Sequence, residues 1–291
     1  MRITQGIIHR SFLINLDNIN EKLNKKFQQI SSGKRITRPS DDPVTLSNVM
    51  QLKDSLKRID QYKKNIEDAI SWLNMTESAF NSMENILNRI EEIAISMGSD
   101  NSSPSMRKTA AEEVARIKEQ ALMIANTKFK GRYIFSGFLT NTAPFTIADN
   151  NYHGDENSLE VEVDDGLKIS YNVAGSLFTN GVNIFQLMDD LKSALNNNDT
   201  DAIKASIDKI HDAYNRINIT HAGIGAKIKT LKNMKDELSD RSFSFEKIIS
   251  QKEDVDMTEA IPKLYIYQTA YQALLNSFAK ITSVNLFNII G

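Results

Sequence analysis

The sequence predicts a mainly α protein: an elongated antiparallel helical rod or coiled coil that carries a small inserted β-rich module at its tip. Three observations indicate this fold class. Apolar residues recur at three- and four-residue steps over long stretches, which is typical of amphipathic helices. Only 5 prolines and 12 glycines interrupt the 291 residues. One segment, at residues 132–181, instead alternates apolar and polar residues, which is the period of strands.

The first long helix is predicted at residues 44–97, because one apolar stripe continues along it at helical spacing. About fifty residues at about 1.5 Å each make a rod of roughly 75 Å, which is longer than a compact domain is wide. A second helix follows and extends to about Lys128. Its start is indicated by Ser103, a capping hydroxyl, and by Pro104 in the first turn.

Strand-period alternation then predicts a β-hairpin with one buried face. Residues 159–163 and 167–173 would form its strands, and residues 164–166 its turn. Because an isolated hairpin is only marginally stable, we expect residues 133–135 and 145–147 to supply further strands. Since the chain ends of this module meet at the tip of the rod, we expect the module to be separable from the helical part.

A short helix at residues 183–196 is followed by the most regular apolar repeat in the chain. At residues 203–249 the steps alternate between four and three residues, which is a heptad seam. We interpret this helix as the antiparallel partner of the helix at residues 44–97, since the segments between them return the chain to the base of the rod.

Both ends of the chain carry shorter apolar stripes. Helices of about three heptads are weak alone in water and need a partner for the apolar face. We expect the ends to pair with each other and with neighbouring subunits, and to become ordered on assembly. The alternative, that they only close an intramolecular bundle, stays open because periodicity does not identify the partner. The stripe residues are Phe12, Leu16, Ile19, Leu23, Phe27 and Ile30 at the N-terminus and Leu264, Tyr267, Tyr271, Leu274, Phe278 and Ile281 at the C-terminus.

Composition excludes several classes of function. With 37 acidic and 35 basic residues the formal net charge is −2, so we expect no nucleic-acid partner and no attraction to anionic lipid. No apolar run approaches the roughly 20 residues needed for membrane insertion. The first residues also lack the features of a cleavable secretory signal. The absence of cysteine excludes disulfides and thiolate chemistry.

We expect no catalytic, cofactor-binding or metal site. Asp149, Asn151, His153, Gly154 and Glu160 match a calcium-loop pattern. However, histidine supplies no hard oxygen ligand, and strand alternation replaces the helix that should follow such a loop. A turn that leads into the hairpin is the better interpretation.

Other polar residues also give no indication of a catalytic or metal site. His221 occupies a seam position and is interpreted as a polar residue that sets register, because no second histidine or acidic pair lies at metal spacing. Carboxylates occur as adjacent pairs, from which no acid with a separate nucleophile can be assembled. A hydrolase on a helical scaffold is therefore the weakest functional hypothesis.

One segment near the N-terminus is a helix stop followed by a restart. It consists of residues 28–36 (QQISSGKRI) and residues 39–43 (PSDDP). A glycine can end the first helix in a left-handed turn, and the acidic pair supplies capping oxygens before a first-turn proline. The whole string resembles the N-terminal signature of the flagellin superfamily. The residues of this helix-junction motif are Gly33, Pro39, Asp41, Asp42 and Pro43.

The resemblance continues over nearly the whole chain. Further similar blocks lie, in family order, at residues 122–127, 131–137, 221–226 and 250–256. Within the superfamily, four features are more similar to the hook-filament junction proteins than to flagellin: the Met-Arg-Ile start, the acidic pair before Pro43, the block at residues 133–137 and the small β insertion.

This resemblance implies a structural, non-enzymatic subunit of the bacterial flagellum. It would be an adaptor at the hook-filament junction, secreted through the flagellar type III export apparatus. The implied partners are hook-associated protein 1, flagellin, other copies of the same chain in a ring, and an export chaperone before secretion. Flagellin itself is the nearest alternative, and an unrelated coiled-coil rod protein is the next. The implied organisation is a polymerisation helix at 1–40, a rod at 41–132, a β-rich outer module at 133–182, the returning rod at 183–254 and a second polymerisation helix at 255–291.

Overall fold

The computed structural model describes residues 5–99, 101–146 and 149–290, with the side chains of residues 5, 8 and 281–290 left undescribed. Helices dominate this part of the chain and the strands are short, so the predicted mainly α fold class is confirmed. The helices are α1 (Gln5–Ser32), α2 (Pro43–Met97), α3 (Pro104–Ala125), α4 (Ile184–Asn197), α5 (Thr200–Glu253) and α6 (Met257–Ile290). The strands are β1 (Lys128–Phe129), β2 (Arg132–Tyr133), β3 (Glu160–Asp164) and β4 (Leu167–Ser170), and Gly175–Phe178 form a 3-10 helix.

The start of α3 follows the predicted capping chemistry. The Ser103 hydroxyl accepts a hydrogen bond from the backbone N–H of Met106 at 3.3 Å. Pro104 takes the first helical position, where no intrahelical donor is needed. The helix ends at Ala125, slightly earlier than predicted, because Lys128 already begins β1, which pairs with β2.

The chain divides into two compact units, and α2 and α5 contribute to both. We call Met1–Arg58 together with Asp240–Gly291 the terminal unit. We call Ile59–Ser239 the central unit. The terminal unit therefore holds the two ends of the chain, and the central unit holds the β-rich segment.

In the central unit, α2 and α5 run antiparallel. The Nδ1 atom of His221 lies 2.8 Å from Oε1 of Glu84, and the Nζ atom of Lys235 lies 2.7 Å from Oε1 of Glu67. As residue numbers rise along α5 they fall along α2, which confirms the predicted antiparallel pairing within this unit. His221 also contacts Phe80 edge to face, with ring centroids 6.2 Å apart, so it is a polar residue within the seam.

Five phenylalanines form the core where the β-rich segment meets the helices. Phe135 stacks on Phe80 with centroids 5.8 Å apart, and Phe178 lies 5.0 Å from Phe135. Phe145 lies 4.8 Å from Phe185 of α4. All five side chains are buried. Because Phe145 and Phe178 come from the module itself, their packing does not support the expectation that the module is separable.

The predicted hairpin is present. β3 and β4 pair antiparallel, with Val161 opposite Ile169. Gly166 occupies the turn with φ +69°, a left-handed conformation that glycine adopts without steric cost. Val163 is fully buried, but Leu167 is 47% exposed. The buried face of the hairpin is therefore narrower than the alternation predicts.

The additional strands are fewer and shorter than predicted. β2 ends at Tyr133, before residues 134–135. Phe145 and Thr146 lie outside any strand, and Ile147 lies outside the described residues. The Asn126 side chain takes the place of a strand partner: its Oδ1 accepts from the N–H of Phe145 at 3.1 Å, and its Nδ2 donates to the carbonyl of Phe145 at 2.9 Å.

Candidate assembly surface of the terminal helices

In the terminal unit, α1 and α6 pack against each other. The rings of Phe12 and Phe278 stack with centroids 4.0 Å apart and planes inclined by 13°. The ring of His9 lies 5.3 Å from that of Phe278. The structure therefore brings together the two apolar stripes at the ends of the sequence, which confirms that the ends pair with each other.

This pairing leaves both stripes incompletely covered. No described stripe side chain is fully buried, and Phe27 is 60% exposed. The side chain of Ile281 lies outside the described ones. A single helix partner covers only one side of an apolar stripe, so a further apolar partner would remove more surface from water. The half-buried stripe residues are Phe12, Leu16, Ile19, Leu23, Ile30, Leu264, Tyr267, Tyr271, Leu274 and Phe278.

Apolar side chains outside the stripes add to the exposed surface of the same helices. On α1, Ile7 is 60% exposed and Ile14 is 54% exposed. On α6, Tyr265 is 64% exposed and Ile266 is 62% exposed. Single exposed apolar residues are common on soluble proteins, whereas several on two paired helices favour a protein-binding surface.

The turn between α1 and α2 is held by Asp41. Its Oδ2 accepts from the backbone N–H groups of Thr37 and Arg38 at 3.2 and 3.1 Å. Its Oδ1 lies 2.7 Å from Nζ of Lys25 on α1. The hydrogen bond from Lys25, with those from the two N–H groups, lowers the pKa of Asp41 to about 2. The ionised carboxylate therefore fastens this turn to α1.

The other residues of the helix-junction motif lie around the same turn. Gly33 follows α1 with φ +72°, the left-handed conformation predicted for the helix stop. The Oδ1 of Asp42 accepts from the N–H of Thr45 at 3.0 Å, and Pro43 is the first residue of α2. Pro39 is exposed within the turn. The motif thus ends one helix and starts the next.

Sequence reasoning missed a buried carboxylate at the end of α5. Glu253 is 6% exposed, with Oε1 2.7 Å from Nζ of Lys34 and Oε2 2.6 Å from Nζ of Lys53. Burial alone would raise the pKa of Glu253, but the hydrogen bonds and charges of the two lysines outweigh burial and hold that pKa below its ordinary value. Lys34 is 219 residues away in sequence, so no local pattern could reveal the contact.

No group of three or more potential metal ligands occurs among the described residues. None of the described helices is long and apolar enough to cross a membrane. In the calcium-like loop, Oδ1 of Asp149 lies 2.9 Å from Nε2 of His153 and accepts from the hydroxyl of Thr146 at 2.9 Å, while Glu160 begins β3.

Comparison with known proteins supports the resemblance stated above. Residues 4–140 match the model of the bacterial flagellin N-terminal helical region. The chain is 26% identical to flagellar hook-associated protein 3 of Salmonella typhimurium, over 99% of each chain. It is 25% identical to a flagellin of Bacillus subtilis, over 94% of this chain and 95% of the flagellin.

Among solved structures, the flagellar junction protein FlgL from Legionella pneumophila has the same fold. It superimposes with a TM-score of 0.58 at 17% sequence identity, over 72% of this chain and 100% of that one. The predicted resemblance is therefore confirmed: this chain is similar along its whole length to flagellar hook-associated protein 3, and its residues 4–140 are similar to the bacterial flagellin N-terminal helical region.

Proposed function

We propose that this chain is a structural subunit of the bacterial flagellum that acts as an adaptor at the hook-filament junction and has no catalytic role. The observation that carries this function is the α1–α6 pair, whose stripes meet and remain partly exposed. The full-length similarity to hook-associated protein 3 indicates the place in the flagellum.

Assembly would complete the burial that the helix pair begins. Covering the exposed part of a half-buried Leu, Ile or Phe side chain is worth up to about 1 kcal/mol, since full burial from water is worth about 1.5–3 kcal/mol. Two stripes with similar half-buried positions can therefore supply several kcal/mol to a subunit contact. Apolar contact dominates this interaction, because the net charge of −2 gives no strong electrostatic alternative.

The partners follow from the same surface. Other copies of the chain, arranged in a ring, would cover its sides, with hook-associated protein 1 and flagellin above and below. The similarity to a flagellin over 94% of this chain supports a way of packing that the two proteins share. An export chaperone would cover the apolar helices before secretion through the type III apparatus. Neither nucleic acid nor membrane insertion has a role.

Within this function the chain is organised in five parts. Residues 1–40 and 255–291 act as polymerisation helices. Residues 41–132 and 183–254 are the two halves of a rod. Residues 133–182 are an outer module. The assembly interface consists of the stripe residues, and the helix-junction motif at Gly33, Pro39, Asp41, Asp42 and Pro43 sets where the N-terminal polymerisation helix ends.

Flagellin is the second candidate, because the similarity to the Bacillus subtilis flagellin extends over nearly the whole chain. Immunogold labelling of intact flagella separates the two functions. An adaptor should be labelled as a single band at the distal end of the hook. Labelling along the entire filament would instead identify flagellin, and absence of label from purified flagella would contradict both.

A further inference from the structure

Two joints of the terminal unit contact each other directly. One is the segment after α1, and the other is the segment after α5. The N–H of Arg35 donates to the carbonyl of Glu253 at 2.6 Å, and the N–H of Val255 donates to the carbonyl of Gly33 at 3.0 Å. The backbones of Lys34 and Asp254 form an isolated antiparallel β-bridge. Segments from the two ends of the chain thus form a short antiparallel ladder.

Side chains tie this ladder to the helices on both sides. The Arg35 guanidinium donates from Nη2 to the carbonyl of Lys252 at 2.8 Å, which satisfies an acceptor in the last turn of α5. On α1, the Nε2 of Gln29 donates to the carbonyl of Arg35 at 2.6 Å. Gln29 is 5% exposed, so its amide is fixed by packing as well as by the hydrogen bond.

Glu253 lies at the centre of this arrangement. Its backbone carbonyl belongs to the ladder, and its carboxylate binds Lys34 of the first joint and Lys53 of α2. A carboxylate that is 6% exposed is costly to bury unless it is paired, and removing one partner leaves an uncompensated charge. Glu253 therefore favours the one geometry in which α2, α5 and both joints are held together.

We infer that Glu253 is a positioning residue that fixes the direction in which α1 and α6 leave α2 and α5, so that the two terminal helices move as one body. This role rests on the proposed function only in its purpose, which is to present a paired apolar surface to neighbouring subunits. The contacts that carry it lie within a single folded chain and can be tested there.

The first test measures geometry in the isolated full-length chain. Because the chain has no cysteine, single spin labels can be placed at Ser47→Cys on α2 and Gln272→Cys on α6, both exposed. The parent protein should give one narrow distance distribution. Glu253→Gln keeps the shape of the side chain but removes the negative charge that balances Lys34 and Lys53. This change should broaden the distance distribution at least twofold.

Two further variants separate the effect of Glu253 from that of other charge changes in the terminal unit. Glu259→Gln removes a surface carboxylate paired with Lys263 in the same unit and should leave the distribution unchanged. Lys53→Met removes only one partner and should give an intermediate broadening. An unchanged distribution in both Glu253→Gln and Lys53→Met would overturn the positioning role.

Amide exchange gives a second readout that distinguishes positioning from local helix capping. In Glu253→Gln, the N–H groups of Arg35 and Val255 should exchange at least tenfold faster, because both cross between the two joints. Amides at residues 203–231 of the central unit should be unaffected. Faster exchange confined to the last turn of α5 would show that Glu253 serves only that helix.

Failure of this inference and failure of the proposed function give different results. If the unaltered protein shows no band at the hook, the proposed function fails whatever the distances show. If the band is present and Glu253→Gln changes neither distances nor exchange, the inference about Glu253 fails alone. The expected result is a band for the parent protein and a label reduced at least several-fold for an exported Glu253→Gln chain.

Discussion

At the residue scale, truncation of Phe278 separates the stability of the free chain from that of the assembly, because its ring stacks on the ring of Phe12. In the free chain Phe278 is only half-buried, so Phe278→Ala should lower stability by about 1–2 kcal/mol, close to the value of an aromatic pair contact. In the assembled flagellum the same ring would be fully buried, and its loss should cost about 3–5 kcal/mol. We therefore expect a melting temperature close to that of the parent protein together with subunits shed into the medium.

Leu23→Ala, in the middle of the α1 stripe, should also leave the melting temperature of the free chain close to that of the parent protein and cause subunits to be shed. Its cost in the assembly, where the site would be packed, should be about 2–5 kcal/mol. Phe243→Ala is the matched control, since Phe243 is 68% exposed on α5. A strongly lowered melting temperature with intact filament attachment would mean that α1 and α6 only close an intramolecular core.

Asp41 makes a pH-dependent contribution to the turn between α1 and α2. Its pKa is lowered from 3.8 to about 2, so its stabilising contribution is complete above its unfolded pKa of about 4 and is lost as pH falls through about 2. The backbone amide shifts of Thr37 and Arg38 should therefore stay constant above about pH 4 and change in a transition centred near pH 2.

Nuclear magnetic resonance titration measures this directly, and Asp41→Asn should abolish the transition at both amides. A transition centred at pH 4 or above in the parent protein would contradict the proposed role of the ion pair with Lys25.

At the element scale, the segment between α3 and α4 is part of the core. Phe178→Ala should destabilise the central unit by about 3–5 kcal/mol, because the ring is fully buried against Phe135 and Phe145. Phe138→Ala, in the same segment but 57% exposed, is the control and should change stability by less than about 0.5 kcal/mol. Chemical denaturation followed by near-ultraviolet circular dichroism measures both. Equal effects of the two changes would be inconsistent with the packing described here.

The elements that could be predicted are those whose pattern is local and repeated. α2 and α5 follow from long runs at helical spacing, and the hairpin of β3 and β4 follows from alternation around a glycine turn. Residues 145–147 alternate in the same way, yet Phe145 is held by the amide of Asn126. A side chain that takes both backbone bonds of a distant residue leaves no periodic trace in the sequence.

The same limit applies to the candidate site. Both apolar stripes can be predicted because their residues recur at helical spacing. The capping residues Gly33, Asp42 and Pro43 can be predicted because each acts on residues adjacent to it in sequence. The contact of Glu253 with Lys34 and Lys53 was not, since burial of a charge depends on partners brought together by the fold.

At the scale of the whole molecule, the ends should be less protected than the middle until assembly occurs. Amides of α1 and α6 should exchange at least a hundredfold faster than those of the buried stretches of α2 and α5 in the free chain, because their side chains are only half-buried. In assembled flagella that difference should shrink to less than about tenfold. Equal protection in the free chain would indicate that assembly adds little order.

The contact between Lys34 and Glu253 closes a loop that spans 219 residues. A contact of such long sequence separation forms only after nearly the whole chain has been synthesised, and the loop-closure entropy must be overcome before it contributes to stability. The hairpin and the α3–α4 contact are local by comparison. The central unit should therefore fold first and the terminal unit last. In stopped-flow refolding, the ladder between residues 33–35 and 253–255 should appear in the slowest phase, so that a nascent chain keeps its ends open until synthesis is complete.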